Sequence, residues 1–194
     1  MEFLTTHTLL AYAVLFLGSY FETLIGVGFF IYGEIFFIPG ALLAGAGVLN
    51  IWLVAVALIA GGVLGDSSSF VLGKKYGASI FKEHNKIFSL TNYQKGLDFF
   101  DKYGTKAIFF ARLLGPVSWI TPFLAGTYNV PYKKFIGYNI LGVTVGIGQF
   151  LIVGYFFGAN YETVLSIIKN DAIVVGIVAV IVLGLYYVYQ RNRG

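Results

Sequence analysis

The sequence predicts an all-α integral membrane protein built on an inverted repeat. Each half is a re-entrant hairpin followed by a transmembrane helix, and a further transmembrane helix ends the chain. Three observations carry this reading. Hydrophobic residues make up 58% of the 194 residues and charged ones 11%, with a mean hydropathy of +0.80, well outside the range of a soluble globular domain. Three runs, 51–72, 135–157 and 172–189, lie near the ~20 apolar residues that cross the hydrocarbon of a bilayer. Two other apolar stretches, 20–48 and 107–128, carry charges, glycines and prolines well inside them, the marks of broken backbone rather than of a straight span. The length suits a single membrane domain, 1–194.

Taken in order, MEFLTTHTLL has no basic n-region and no clear cleavage site, so it does not read as a removable signal peptide, and the run 8–21 is ambiguous. The stretch GSYFETLIGVGFFIYGEIFFIPGALLAGAG (18–47) holds two glutamates and the pair Pro39-Gly40, where the first hairpin is expected to turn. Ile51–Leu72 follows as the first full span. Residues 74–106 then contain seven of the thirteen basic residues and three acids, with Ile87, Leu90, Tyr93, Leu97 and Phe100 spaced for amphipathic helices at a membrane surface.

The positive-inside rule puts 74–106 in the cytoplasm, and it wants Lys133, Lys134, Arg191 and Arg193 on that same side. A straight crossing by 107–128 would carry Lys133 and Lys134 to the opposite face. A re-entrant hairpin turning at Gly115-Pro116 removes the conflict. Such backbone is tolerated at membrane depth only where it is buried in protein or lines a watery cavity. The spans 135–157 and 172–189 complete a multi-pass protein of the plasma membrane with a cytoplasmic C-terminus.

Sliding the chain on itself by 81 residues supports the repeat. Five of the seven glycines in 43–77 then fall on glycines in 124–158, among them Gly45 on Gly126 and Gly73 on Gly154. The spans that follow the two hairpins run in opposite directions, so the repeat is inverted, as in many secondary transporters.

Ionisable groups inside apolar segments are costly unless paired or wetted, which makes function their default reading. Four are present: Glu22, Glu34, Asp66 and Arg112. Arg112 either faces a site or snorkels to the cytoplasmic interface six residues beyond Lys106. Glu22 either serves function or marks the end of the N-terminal helix. Glu34 lies among FFIYG and IFFIPG with no polar exit. Asp66 is ~12 Å along a helix from Lys74, with Ser67, Ser68 and Ser69 beside it to bond it, and it is a candidate partner of Arg112.

Several function classes are excluded. The chain has no cysteine, so thiolate chemistry is absent, and His7 and His84 stand alone, so neither a metal site nor another cofactor is expected. The formal net charge of +4 comes from residues flanking apolar segments and reports topology rather than nucleic acid. GVGFFIYG and GVTVGIG lack the context of a phosphate-binding loop and read as close helix packing. No nucleophile–base constellation suggests an enzyme.

GDSSSFVLGKKYG (65–77), FFARLLGPVSWITPFLAG (109–126) and NVPYKKFIGYNILG (129–142) resemble the DedA family of membrane proteins, which is related to the VTT-domain lipid scramblases. The resemblance spans roughly residues 20 to 160. It implies two opposed re-entrant hairpins and transport of lipid carriers, with undecaprenyl phosphate as the bacterial cargo class. It also implies an essential basic group at Arg112, an essential acid at Asp66 and a hairpin glutamate at Glu34 or Glu22. The chain departs from the pattern at Ser118, where family members usually carry a second arginine, and at Ala41, where many carry an acid.

The leading expectation is therefore a translocase of an anionic lipid phosphate, whether undecaprenyl phosphate, another polyprenyl phosphate or a phospholipid. Arg112, Ser118, Lys133 and Lys134 would hold the headgroup, because a guanidinium offers a planar fork for bidentate bonds. Glu22, Glu34 and Asp66 would couple movement to protons or another ion. A proton-coupled ion or drug antiporter and a non-transporting membrane scaffold are the alternatives, and a homo-oligomer is left open.

Overall fold

The computed structural model describes residues 2–28, 30–31, 33–80, 89–113 and 120–160. The expected turn at Gly115-Pro116, Ser118 and the run 172–189 fall outside the described residues. Those residues form seven α-helices: α1 (Glu2–Thr23), α2 (Glu34–Gly45), α3 (Ile51–Tyr76), α4 (Leu90–Tyr103), α5 (Ala107–Leu113), α6 (Thr121–Thr127) and α7 (Tyr132–Ala159). Two of them, α3 and α7, are long and apolar enough to cross a membrane. Both outrun their expected bounds. The α3 helix continues through the serines and lysines to Tyr76 and stops where Gly77 takes φ +49. Asn50 starts it by accepting hydrogen bonds from the backbone N–H groups of Trp52 (2.9 Å) and Leu53 (3.3 Å).

The two long helices cross antiparallel at the centre. Phe70 stacks on Phe135 with ring centroids 4.5 Å apart, and two turns away a Cβ on Gly62 would lie 3.2 Å from a Val143 methyl. Four of the shorter helices lean on this pair: α1 and α6 on α3, α2 and α5 on α7.

The α1 and α2 helices form an antiparallel hairpin. Its two arms meet where Gly18 abuts the Phe36 ring and Gly40 approaches the Leu15 methyls. The chain reverses between Thr23 and Glu34, and Gly26 there takes φ +87, open to glycine at little cost. This corrects the expected turn: Pro39 and Gly40 lie inside α2. Pro39 is exposed, and Gly40 is buried against Leu15 and Val54.

Glycines also seat α2 and α6 on the long helices. A side chain on Gly45 would overlap the Tyr155 carbonyl, and one on Gly158 the Leu42 carbonyl, so α2 and α7 touch backbone to backbone. The α3–α6 contact has the same form, with Gly73 against the Phe123 carbonyl and Gly126 against that of Phe70. The α2 and α6 helices end in the same type of cap. After α2, the N–H groups of Gly47 and Val48 bond the carbonyls of Ala44 and Leu43; after α6, those of Asn129 and Val130 bond Gly126 and Ala125. Gly47 (φ +77) and Asn129 (φ +54) hold the left-handed position that such a cap requires.

Two apolar cores result. One joins Leu15, Phe37, Ala41, Leu58, Val143 and Ile147; the other joins Phe70, Phe100, Ile108, Phe123 and Phe135. The outward faces of α3 and α7 remain apolar and exposed, from Trp52 (77% exposed) and Val56 to Ile152 and Phe156, as lipid-facing helices require. The amphipathic segment resolves into α4, which packs Phe100 and Tyr93 onto Tyr128, whose O–H donates to the Tyr93 carbonyl (2.9 Å).

Candidate functional site

Between the two apolar cores lies a polar layer. Ser19 and Thr23 of α1, Asp66 and Ser69 of α3 and Asn139 of α7 are all buried, Asp66 and Asn139 completely. The sequence builds this layer from small residues. Gly61 and Gly65, one turn apart on α3, sit against the Phe16 and Tyr20 carbonyls of α1, which brings the hydroxyls of one helix within reach of the other's backbone.

Most of the hydroxyls are committed to that seam. Ser19 Oγ donates to the Leu58 carbonyl at 2.7 Å, and Thr23 Oγ1 to the Gly62 carbonyl at 3.1 Å. Ser69 Oγ accepts from the Ile25 N–H at 2.8 Å and donates to the Thr23 carbonyl at 3.0 Å. Ser67 and Ser68 donate to the carbonyls of Val63 and Leu64, and their oxygens also meet the Tyr132 and Tyr20 hydroxyls. The serines expected to bond Asp66 therefore serve helix packing in this conformation.

Asp66 occupies the third face of α3, toward α7. Gly62, Asp66 and Phe70 follow at one-turn spacing, as do Val143, Asn139 and Phe135 on the antiparallel α7. With Gly62 against Val143 and Phe70 against Phe135, Asp66 and Asn139 fall at one level. Asn139 was not among the expected site residues. Its signal in the sequence is a lone amide inside the apolar run FIGYNILGV, which a search for charges passes over.

The other candidates distribute around this layer. Arg112 belongs to the last turn of α5, one turn beyond Ile108, on a helix that packs against α7; its side chain lies outside the described residues. Glu22 ends α1 half-buried, and its carboxyl carbon lies 2.8 Å from where a Cβ on Gly33 would stand. Glu34, expected to lack a polar exit, is exposed as the first residue of α2, where its charge complements the helix N-terminus. Lys133 and Lys134 are exposed in the first turn of α7, ~8 Å along the helix from Asn139. A lysine gains nothing from a helix N-terminus, so helix stability does not account for their placement there. Among the described residues, no group of three His, Cys, Asp or Glu gathers to hold a metal.

The chain is similar to known membrane proteins. The VTT domain family model matches residues 31–156. Protein DedA of Escherichia coli (strain K12) is 31% identical over 197 residues, covering 99% of this chain and 88% of the relative. An uncharacterized membrane protein of Synechocystis sp. is 33% identical over 151 residues, covering 76% of this chain and 67% of the relative. An uncharacterized membrane protein of Mycobacterium leprae is 32% identical over 127 residues, covering 65% of this chain and 57% of the relative. No solved structure matches the chain.

Proposed function

The chain belongs to the VTT domain family and is a multi-pass membrane protein, and on that premise we propose that it translocates a lipid phosphate across the plasma membrane, as a transporter rather than an enzyme. The observation that carries this is Asp66, a carboxylate with no solvent exposure at the crossing of the two helices long enough to span the bilayer. A buried ionisable group there is expensive, and a coupled transport step is the use that repays it. In this reading Arg112 grips the phosphate, with Ser118, Lys133 and Lys134 along its path. Asp66, with Glu22 and Glu34 nearer the hairpin turn, takes up and releases the coupling proton or ion. The polyprenyl or acyl tail stays in lipid.

The reading includes an inverted repeat with two re-entrant hairpins. Its support is the exchange of partners between halves: α1 on α3 and α2 on α7 correspond to α5 on α7 and α6 on α3. The backbone seats at Gly45 and Gly126 and the matching caps at Gly47 and Asn129 add to it. The first hairpin then opens toward the outside and the second toward the cytoplasm, with α4 on the cytoplasmic surface. Cysteines introduced at Lys106 and Lys133 in this cysteine-free chain should react with an impermeant reagent from the same face; labelling from opposite faces would sink the hairpin.

The function is tested by reconstitution with a fluorescent polyprenyl phosphate, a phospholipid and a cationic dye. Translocation of the polyprenyl phosphate should be lost in Arg112→Ala and fall sharply in Arg112→Lys, which keeps the charge but not the planar fork. Dye transport that survives Arg112→Lys, with no phosphate-lipid transport, would replace this reading with a cation antiporter.

A further inference from the structure

Asn139 is the group in the polar layer that the fold itself does not use. Its side chain is completely buried, and neither its Oδ1 nor its Nδ2 has a hydrogen-bond partner among the described residues. Burying an amide with neither end bonded is costly, and a leucine, with the same number of side-chain heavy atoms, would occupy the position without that cost. The neighbouring turns of α7 behave differently: Phe135 stacks on Phe70, and Val143 packs on Gly62. The sequence thus keeps a polar group at the one level of the α3–α7 crossing that also carries Asp66.

We infer that Asn139 is a ligand-contacting residue that donates its Nδ2–H to the phosphate of the transported lipid, opposite Asp66. This deepens the translocase reading and rests on it. An amide brings a donor to an anion without adding charge, so it holds a phosphate beside a carboxylate where a lysine would instead pair with Asp66. A phosphate that retains one proton can give its O–H to the Asp66 carboxylate while another oxygen accepts from Asn139. The two residues, one on each long helix, would then be bridged only while cargo is present.

The test uses the full-length protein in nanodiscs, with a polyprenyl phosphate, the polyprenol of equal chain length and inorganic phosphate as probes. Asn139→Leu should weaken polyprenyl phosphate binding by about ten-fold or more and leave polyprenol binding unchanged. Without ligand it should melt at a higher temperature than wild type, because an unbonded amide has been removed. Asn139→Asp, which replaces the donor with a second acid, should abolish phosphate-lipid binding. Competition by inorganic phosphate in wild type but not in Asn139→Leu would assign the contact to the headgroup. Unchanged phosphate-lipid affinity in Asn139→Leu overturns the assignment while leaving the translocase reading intact. A lowered melting temperature in that variant also overturns it, by showing that the amide holds the fold. A wild type that binds polyprenol as tightly as its phosphate refutes the translocase reading and this assignment together.

Discussion

The α1 and α6 helices grip the same long helix, α3, by different means. The α1 helix is stitched to α3 by directional bonds: Ser19 and Thr23 donate to the backbone of α3, and Ser69 of α3 donates to that of α1. Among the described residues, α6 bonds α3 from Thr127 Oγ1 to the Gly73 carbonyl at 3.3 Å, and glycine seats and apolar faces also hold it there, with the aromatic side chains of α4 packed over it. Hydrogen bonds fix a register, whereas apolar contact is non-directional and allows neighbouring registers at similar energy. The bonded seam therefore fixes the register of α1 against α3.

The largest expected effect tests what the hairpins share. Gly45→Val and Gly126→Val both drive a side chain into a facing carbonyl that cannot step aside, so each should cost about 3 kcal/mol or more, or prevent folding. Monodispersity and melting temperature in detergent report it. A severe loss at only one of them would break the equivalence of the two halves.

A smaller effect tests what they do not share. Ser69→Ala removes the acceptor of the Ile25 N–H and should cost about 1–3 kcal/mol. Thr127→Val should cost about 0.5–1.5 kcal/mol, because the Gly73 carbonyl keeps the Gly77 N–H. Equal costs would erase the contrast between a bonded seam and an apolar one.

The smallest effect lies at the caps. Gly47→Ala places a Cβ in the left-handed region and should cost about 1 kcal/mol, while Asn129→Gly should change stability by less than about 0.5 kcal/mol. A large loss from Asn129→Gly would mean that its side chain, rather than its backbone angle, matters.

How much of this was legible in the sequence depended on which physical rule governed each segment. The two long spans could be read because an uninterrupted apolar run must form a helix in lipid, and their excess length came from lysines, tyrosines and small residues at the ends, which hydropathy discounts although a helix accepts them. The first turn was misplaced because proline was weighed above glycine. In α2 the proline is absorbed by a helix packed on its neighbours, while Gly26 makes the reversal. Asp66 stood out by its charge. Asn139 did not, since an uncharged amide barely lowers the hydropathy of a 28-residue helix, and only its burial and its neighbours across α3 single it out.

The apolar outer faces of the long helices have a consequence for the surrounding bilayer. On α3 the exposed large apolar side chains run from Trp52 to Tyr76, and on α7 from Tyr132 to Phe157. At 1.5 Å per residue these belts are about 36 Å and 38 Å long, more than the ~30 Å hydrocarbon of a typical membrane. Helices of that length tilt, or set their end tyrosines at the interface, to match it. Activity should therefore fall as acyl chains are shortened below that thickness, at a cost for each ångström of mismatch.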